Sequence, residues 1–387
     1  MRLSPAAARA SGPPVAGTGR PGPGVAAGTP PSRACTAVVT SAREIPADEW
    51  AALAPNPYES RGWFLAMEEQ FPDTNFVYLC AWREGRLAAV LPMYDRYGPL
   101  APGTVTLLTA GVAGGRRRFL GRLLRHSGLS VLVAGSPYSY FSDVIGDPAL
   151  NSELRRELLA LARSRRVDLV SVPFATRLPP LEGAVCGRSV THYRLDLPGD
   201  TVDDYLATFK SKSRAGRRKE LEFEPRPVSE ALAGHEQELA SLRNVTARRN
   251  GSEVMVAPAF YASLAAHMGE GARVLLARRD GACRGAWLYF PSPGGIHASH
   301  VGVEGADGTY FGMFADLVRR AYSAGLPAVE YGPAAAQGKL RRGCRPVETT
   351  FHAVPTSLRG KAVIAIVKAL SGSHRRGGAA ARGRPAE

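Results

Sequence analysis

Apolar and polar positions along this chain fall into two recurring phrases. Residues 76–94 read FVYLCAW, a polar Arg-Glu-Gly break, then RLAAVLPMY. Residues 273–290 repeat the phrase as RVLLAR, Arg-Asp-Gly, ACRGAWLYF. A polar residue followed by Gly supplies the left-handed backbone of a two-residue turn, so each phrase predicts an antiparallel hairpin. A helix and a buried strand follow each hairpin. In the first half Asp147-Pro148 caps a helix whose Leu150, Leu154, Leu158 and Leu161 share one face, and VDLVSV follows as a strand. In the second, Thr309 precedes Phe314, Leu317, Val318 and Ala321 at helical spacing. Gly325 ends that helix, and PAVEY follows as a strand. The duplicated order predicts an α/β protein of two tandem mixed-sheet domains, 36–195 and 196–358, with a ligand cleft between them. A chain of 387 residues has room for both.

The flanks read differently. Residues 1–34 are rich in Ala, Gly, Pro and Arg and lack both apolar periodicity and a secretory apolar core. We read residues 1–35 as a disordered extension and 359–387 as a terminal helix with a basic tail. KAVIAIVKAL at 361–370 is either the last packed helix or a segment touching anionic membrane. Nothing approaches the roughly 20 apolar residues of a membrane span, so stable insertion is not expected.

Composition excludes several classes. With 45% hydrophobic and 21% charged residues, neither wholesale disorder nor a fibrous rod is expected. The five Cys are dispersed without a CxxC pair, which argues against a disulfide framework or thiolate zinc site and for a reduced, cytoplasmic protein. His297 and His300, three apart on a strand, should point to opposite faces, so no shared metal is expected. The net charge of +15 is concentrated in the flanks: residues 44–358 carry only +4. One dense cluster remains, KSKSRAGRRK at 210–219, with six cations and no acid. Lys210, Lys212, Arg214, Arg217, Arg218 and Lys219 form either a solvated helix face or a patch for phosphates on RNA, a nucleotide or coenzyme A. ELEFE follows directly and would blunt its field.

The most specific segment is 330–354. A strand ends in Gly332-Pro333, a small-residue loop delivers Gln337-Gly338-Lys339, and Arg342-Gly343, Pro346, Thr349 and His352 follow. Small residues beside a strand end let a substrate approach closely. This string resembles the C-terminal signature of GNAT-superfamily proteins related to the FemAB peptidyltransferases, although QGK here replaces the usual QGExK. Asn56-Pro57-Tyr58, Ser60, Phe64-Leu65 and Glu68-Glu69 resemble the family's opening. Thr246 and Arg249, followed by Phe260-Tyr261, resemble its middle step. The likeness spans roughly residues 45–355.

The resemblance implies two tandem GNAT-like domains and transfer of an acyl or aminoacyl group to an amine. The donor would be aminoacyl-tRNA, as in FemAB-type enzymes, or acyl-CoA, with no bound cofactor and a small-molecule or peptide amine as acceptor. The usual pyrophosphate loop of acyl-CoA enzymes is missing; its place reads VEGADGTYFG. The helical arm of FemAB enzymes is missing too. An activated donor needs no covalent nucleophile, only positioning, oxyanion stabilisation and removal of a proton from the amine. Lys339 is the candidate stabiliser, as the resemblance implies. Asp143, in the aromatic loop YSYFSDV, Glu330, His300 and His352 are the candidate bases. Tyr138 and Tyr140 would line the acceptor pocket or simply pack. Thr246, Arg249, Gln337, Arg342 and His352 are the expected substrate contacts. A binding protein for a peptide or cell-wall precursor, without catalysis, is the reading of a different class.

Overall fold

The structure is a computed structural model that describes residues 35–96, 128–224, 226–250, 255–305 and 308–380, with positions 118, 120–122 and 124. Residues 1–34 of the predicted extension lie outside the described residues. The strands are β1 (Cys35–Val39), β2 (Phe76–Arg83), β3 (Arg86–Arg96), β4 (Val131–Ala134), β5 (Ile145–Gly146), β6 (Leu169–Ala175), β7 (Val185–Asp196), β8 (Val228–Ala231), β9 (Arg273–Arg279), β10 (Ala282–Ser292), β11 (Gly295–Val303), β12 (Ala328–Tyr331) and β13 (Arg345–Pro355). The helices are α1 (Ala47–Leu53), α2 (Arg61–Gln70), α3 (Asn151–Ser164), α4 (Val202–Ala207), α5 (Ser211–Leu221), α6 (Glu236–Arg249), α7 (Pro258–Met268), α8 (Thr309–Ser323), α9 (Ala336–Leu340) and α10 (Leu358–Ala380). The last helix continues beyond the 361–370 segment into residues read as tail. Among the described residues no helix is long and apolar enough to cross a membrane.

Both hairpins form as read, and each turn holds two successive residues at positive φ: Glu84 and Gly85, then Asp280 and Gly281. That geometry matches the right-handed twist of the flanking strands. Asp147 accepts the Ala149 amide and starts the turn before α3, whose Leu154, Leu158 and Ala162 are buried.

The strands join into one mixed sheet, in the order β1-β2-β3-β4-β6-β13-β7-β12-β11-β10-β9-β8, with β5 beside β3. Each half contains one parallel pair, β4 with β6 and β11 with β12. The halves meet through β13, which lies antiparallel between β6 and β7, while β7 also pairs with β12. One core joins α1 and α2 to α6 and α7, uniting both halves beneath β2, β9 and β10. On the other face α3 covers β2–β4 and β6, and α8 covers β9–β12.

Candidate active site

β11 and β12 pair only from Ile296–Val329 to Ala298–Tyr331. β12 then ends, while β11 runs on to Val303. A narrow cavity opens at that point, lined by Tyr58, Tyr140, Phe141, His192, His297, Ala298, Glu330, Tyr331 and Gly332. Its walls therefore come from both halves of the chain, which is where the duplicated pattern placed the cleft.

Local sequence explains how Tyr58 arrives there. The Asn56 side chain accepts the Tyr58 amide at 3.0 Å, Pro57 opens a 3-10 turn, and Ser60 caps α2 by accepting from the Trp63 amide at 3.2 Å. Asn and Ser satisfy amides that a helix start leaves bare, and Pro has none to lose. The Asn-Pro-Tyr-x-Ser string is thus a pair of caps that swings one tyrosine into the cleft.

The sheet register supplies the polar wall. Arg194, Glu330 and His297 are direct neighbours on β7, β12 and β11. Arg194 donates to Glu330 at 2.6 Å and to Asp196 at 2.5 Å. Burial raises the Glu330 carboxyl above its ordinary value, against the pull of Arg194. His192 lies two residues before Arg194; the Tyr140 ring meets it edge-on at 4.7 Å and Phe141 stacks at 6.2 Å. His192 and His297 are each only 7% exposed. Among the described residues the Nε2 of His192 and the Nδ1 of His297 have no hydrogen-bond partner. Burial lowers both to about 4, helped at His192 by Lys339 and at His297 by Arg194, so both rings are neutral near pH 7.

Lys339 bonds to the cavity wall from beside it. It sits on α9, entered through Ala335 in a left-handed conformation, and is 2% exposed. Its ammonium donates to the Gly332 carbonyl at the end of β12 and lies 5.5 Å from the Tyr193 ring and 6.0 Å from the Tyr331 ring. Among the described residues no carboxylate pairs with it. Burial lowers its pKa to about 8.

The other expected residues are placed as follows. Tyr140 and Glu330 line the cavity. Asp143 does not: its carboxylate accepts from the Thr176 amide and hydroxyl and from the Arg177 and Leu178 amides, at 3.0 and 2.8 Å for the last two. So saturated, it organises the 176–178 turn. His300 is also elsewhere. Its Nδ1 meets the Tyr261 hydroxyl at 3.0 Å, Phe260 stacks on the ring, and Tyr138 packs edge-on against it. Burial pushes it down to about 3. The expectation that His297 and His300 face apart is corrected by a bulge. Trp287 pairs with Val301 and Tyr289 with Ala298, so Ser299 and His300 together oppose Leu288. The extra residue restores His300 to the face of His297. Among the described residues no group of His, Cys, Asp or Glu is placed to hold a metal ion.

Thr246 and Arg249 bind backbone rather than the cavity. The Thr246 hydroxyl accepts the Val303 amide at 2.8 Å, and Arg249 donates to Gly305 at 3.3 Å, pinning the exit of β11. Gln337 is exposed on α9. His352 bonds Thr350 at 3.1 Å within β13. Arg342 is buried and forks onto Glu220 of α5 at 2.9 and 2.5 Å, over the Phe311 ring. That bond ties the basic helix to the segment carrying Lys339. On α5 Lys212, Arg214, Arg218 and Lys219 are exposed, as is Lys210 just before it, while Arg217 turns inward to Glu220 at 3.1 Å.

The mixed sheet with one parallel pair in each half, β4–β6 and β11–β12, is a fold this chain shares with a solved structure. FemX is similar to this chain over 80% of its length and 96% of FemX, with a TM-score of 0.55 at 10% identity. A tandem GNAT protein from the clavulanic acid biosynthesis pathway matches with a TM-score of 0.44 at 13% identity, covering 83% of this chain and 99% of that one. A GCN5-related N-acetyltransferase from Kribbella flavida matches with a TM-score of 0.37 at 12% identity, covering 84% and 72%. No family model matches the sequence, and no curated protein does.

Proposed function

We propose that the protein is an amide-forming transferase that moves an aminoacyl group from aminoacyl-tRNA to a primary amine. The observation that carries this reading is Lys339, an ammonium that is 2% exposed, without a carboxylate partner among the described residues, and bonded to Gly332 in the wall of a cavity built by both halves. A buried cation is costly unless something negative meets it. In acyl transfer that partner is the oxyanion of the tetrahedral intermediate, which the ammonium stabilises as it forms. The name of FemX and the fold shared with it support transfer chemistry.

Two further observations support tRNA over acyl-CoA as donor. Arg342 docks the exposed cations of α5 beside the Lys339 segment, a surface suited to a phosphate backbone. The first turn of α8, where a pyrophosphate would sit, is packed: Phe223 lies against Gly312, Tyr310 stacks on Trp287 at 5.1 Å, and Thr309 is buried.

The test supplies an amine with either charged tRNA or acyl-CoA, with and without ribonuclease. Ribonuclease-sensitive product from charged tRNA is expected; ribonuclease-resistant product from acyl-CoA alone would reassign the donor. Lys339→Met should lower turnover roughly 10²–10³-fold. A folded variant with wild-type turnover would remove Lys339 from the chemistry.

A further inference from the structure

We infer that His192 takes the proton released by the attacking amine, and that the aromatic cavity around it is the seat of the acceptor's primary amino group. The inference rests on the transferase reading above and deepens it at the same site. The amine nitrogen bonds to the acyl carbon while the carbon–oxygen bond to the donor's ribose hydroxyl breaks. The proton leaving nitrogen passes to His192 Nε2 and then to the departing oxygen, so the imidazole ends neutral as it began.

Four features place His192 in that role. Its Nε2 is buried without a partner among the described residues, which is costly unless a ligand completes it. It shares a cavity with Tyr331 and Gly332, the residues whose ring and carbonyl hold the Lys339 ammonium, so acceptor and oxyanion sites are contiguous. Tyr140 and Phe141 clamp the ring, fixing its direction. Of the other bases, Glu330 is paired with Arg194, Asp143 is saturated by the 176–178 turn, and His300 is held by Tyr261; His297 also has an open nitrogen, but its charged neighbour is Arg194, whereas that of His192 is Lys339. The charged and titratable groups around the ring are Lys339, the Glu330–Arg194 pair, His297, Tyr58 and Tyr140. Aromatic walls and a neutral imidazole suit an amine arriving uncharged, or shedding its charge there, better than an anion.

The experiment uses the full chain, alanyl-tRNA and acetyl-CoA as donors, and Nα-acetyl-lysinamide as the primary-amine probe. Wild type should form amide. His192→Gln, which keeps size and polarity but not basicity, should lower kcat roughly 10²–10⁴-fold with little change in KM. His192→Ala should regain at least about tenfold activity with added imidazole, tracking the neutral imidazole concentration, an effect that a merely structural histidine does not show. Turnover of His192→Gln within threefold of wild type, or an Ala variant that imidazole does not rescue, would overturn the role of His192 while leaving the transferase reading intact. Wild type that forms no amide from either donor overturns that reading and this inference together.

Discussion

Lys339 shows how a single side chain can set function against stability. Burial moves its pKa from 10.5 to about 8, which corresponds to about 3 kcal/mol of penalty for the charged form at pH 7. Between pH 8 and 10.5 the unfolded chain holds this proton and the folded chain does not, so this lysine makes stability rise with pH across that window. Activity moves the other way, because the oxyanion partner is lost above pH 8. Turnover should therefore fall between pH 7.5 and 9.5 along a limb that Lys339→Met lacks. The same variant should be more stable than wild type at pH 7 by about 1–2 kcal/mol, once the lost bond to Gly332 is counted. Thermal unfolding at pH 7 and pH 9.5 checks the sign; a less stable variant would make Lys339 a structural tie.

Among the elements, α5 is joined to the turn that follows α9 by a buried ion pair. The Arg342 side chain is 5% exposed and that of Glu220 19%. Glu220→Ala leaves a guanidinium uncompensated and should cost about 3–5 kcal/mol in denaturant unfolding. Adding Arg342→Met should recover most of that loss, giving a large coupling term in the double-mutant cycle. The exposed side of the helix is a separate matter. Lys212→Ala with Lys219→Ala should leave stability within about 0.5 kcal/mol yet reduce the slope of log K against log salt for tRNA by about 1.4. An unchanged slope would mean these lysines touch no phosphate. Much of this scale was legible in the sequence. Glu84-Gly85 and Asp280-Gly281 announced their hairpins, and the leucine stripe announced α3, because turn and helix signals are local. The bulge at Ser299–His300 was not legible: the extra residue exists only relative to β10, and a strand's own residues carry no mark of its partner's register.

For the whole molecule, buried histidines set the acid limit. His192, His297 and His300 are lowered from 6.5 to about 4, 4 and 3, chiefly by burial. Below pH 6.5 the unfolded chain takes up protons that the folded chain refuses, so stability falls as pH falls. Glu59, buried beside Tyr58 and raised to about 7, opposes this in part by holding a proton in the fold. For these four groups alone the balance near pH 5 is about two protons, or about 3 kcal/mol lost per pH unit. Unfolding midpoints measured from pH 7 to 4.5 should drop steeply, and His300→Phe, outside the cavity, should flatten the decline. The site follows the same logic of legibility. Lys339 stood out because small residues and a strand end surround it in sequence. His192 did not, since GRSVTHYRLD reads as an ordinary strand; its partners Tyr58, Tyr140, His297 and Gly332 come from four distant segments and meet only in the folded sheet.

The position of β13 dictates when this protein can become itself. As the chain leaves the ribosome, β6 and β7 are both made long before the strand that belongs between them. Until residues 345–355 emerge, each presents a row of unpaired amides and carbonyls to any neighbouring chain. Loop closure over such a separation is slow. The nascent protein must therefore wait with its central seam open, and a ribosome that stalls after α9 leaves β6 and β7 facing each other across an empty place in the sheet.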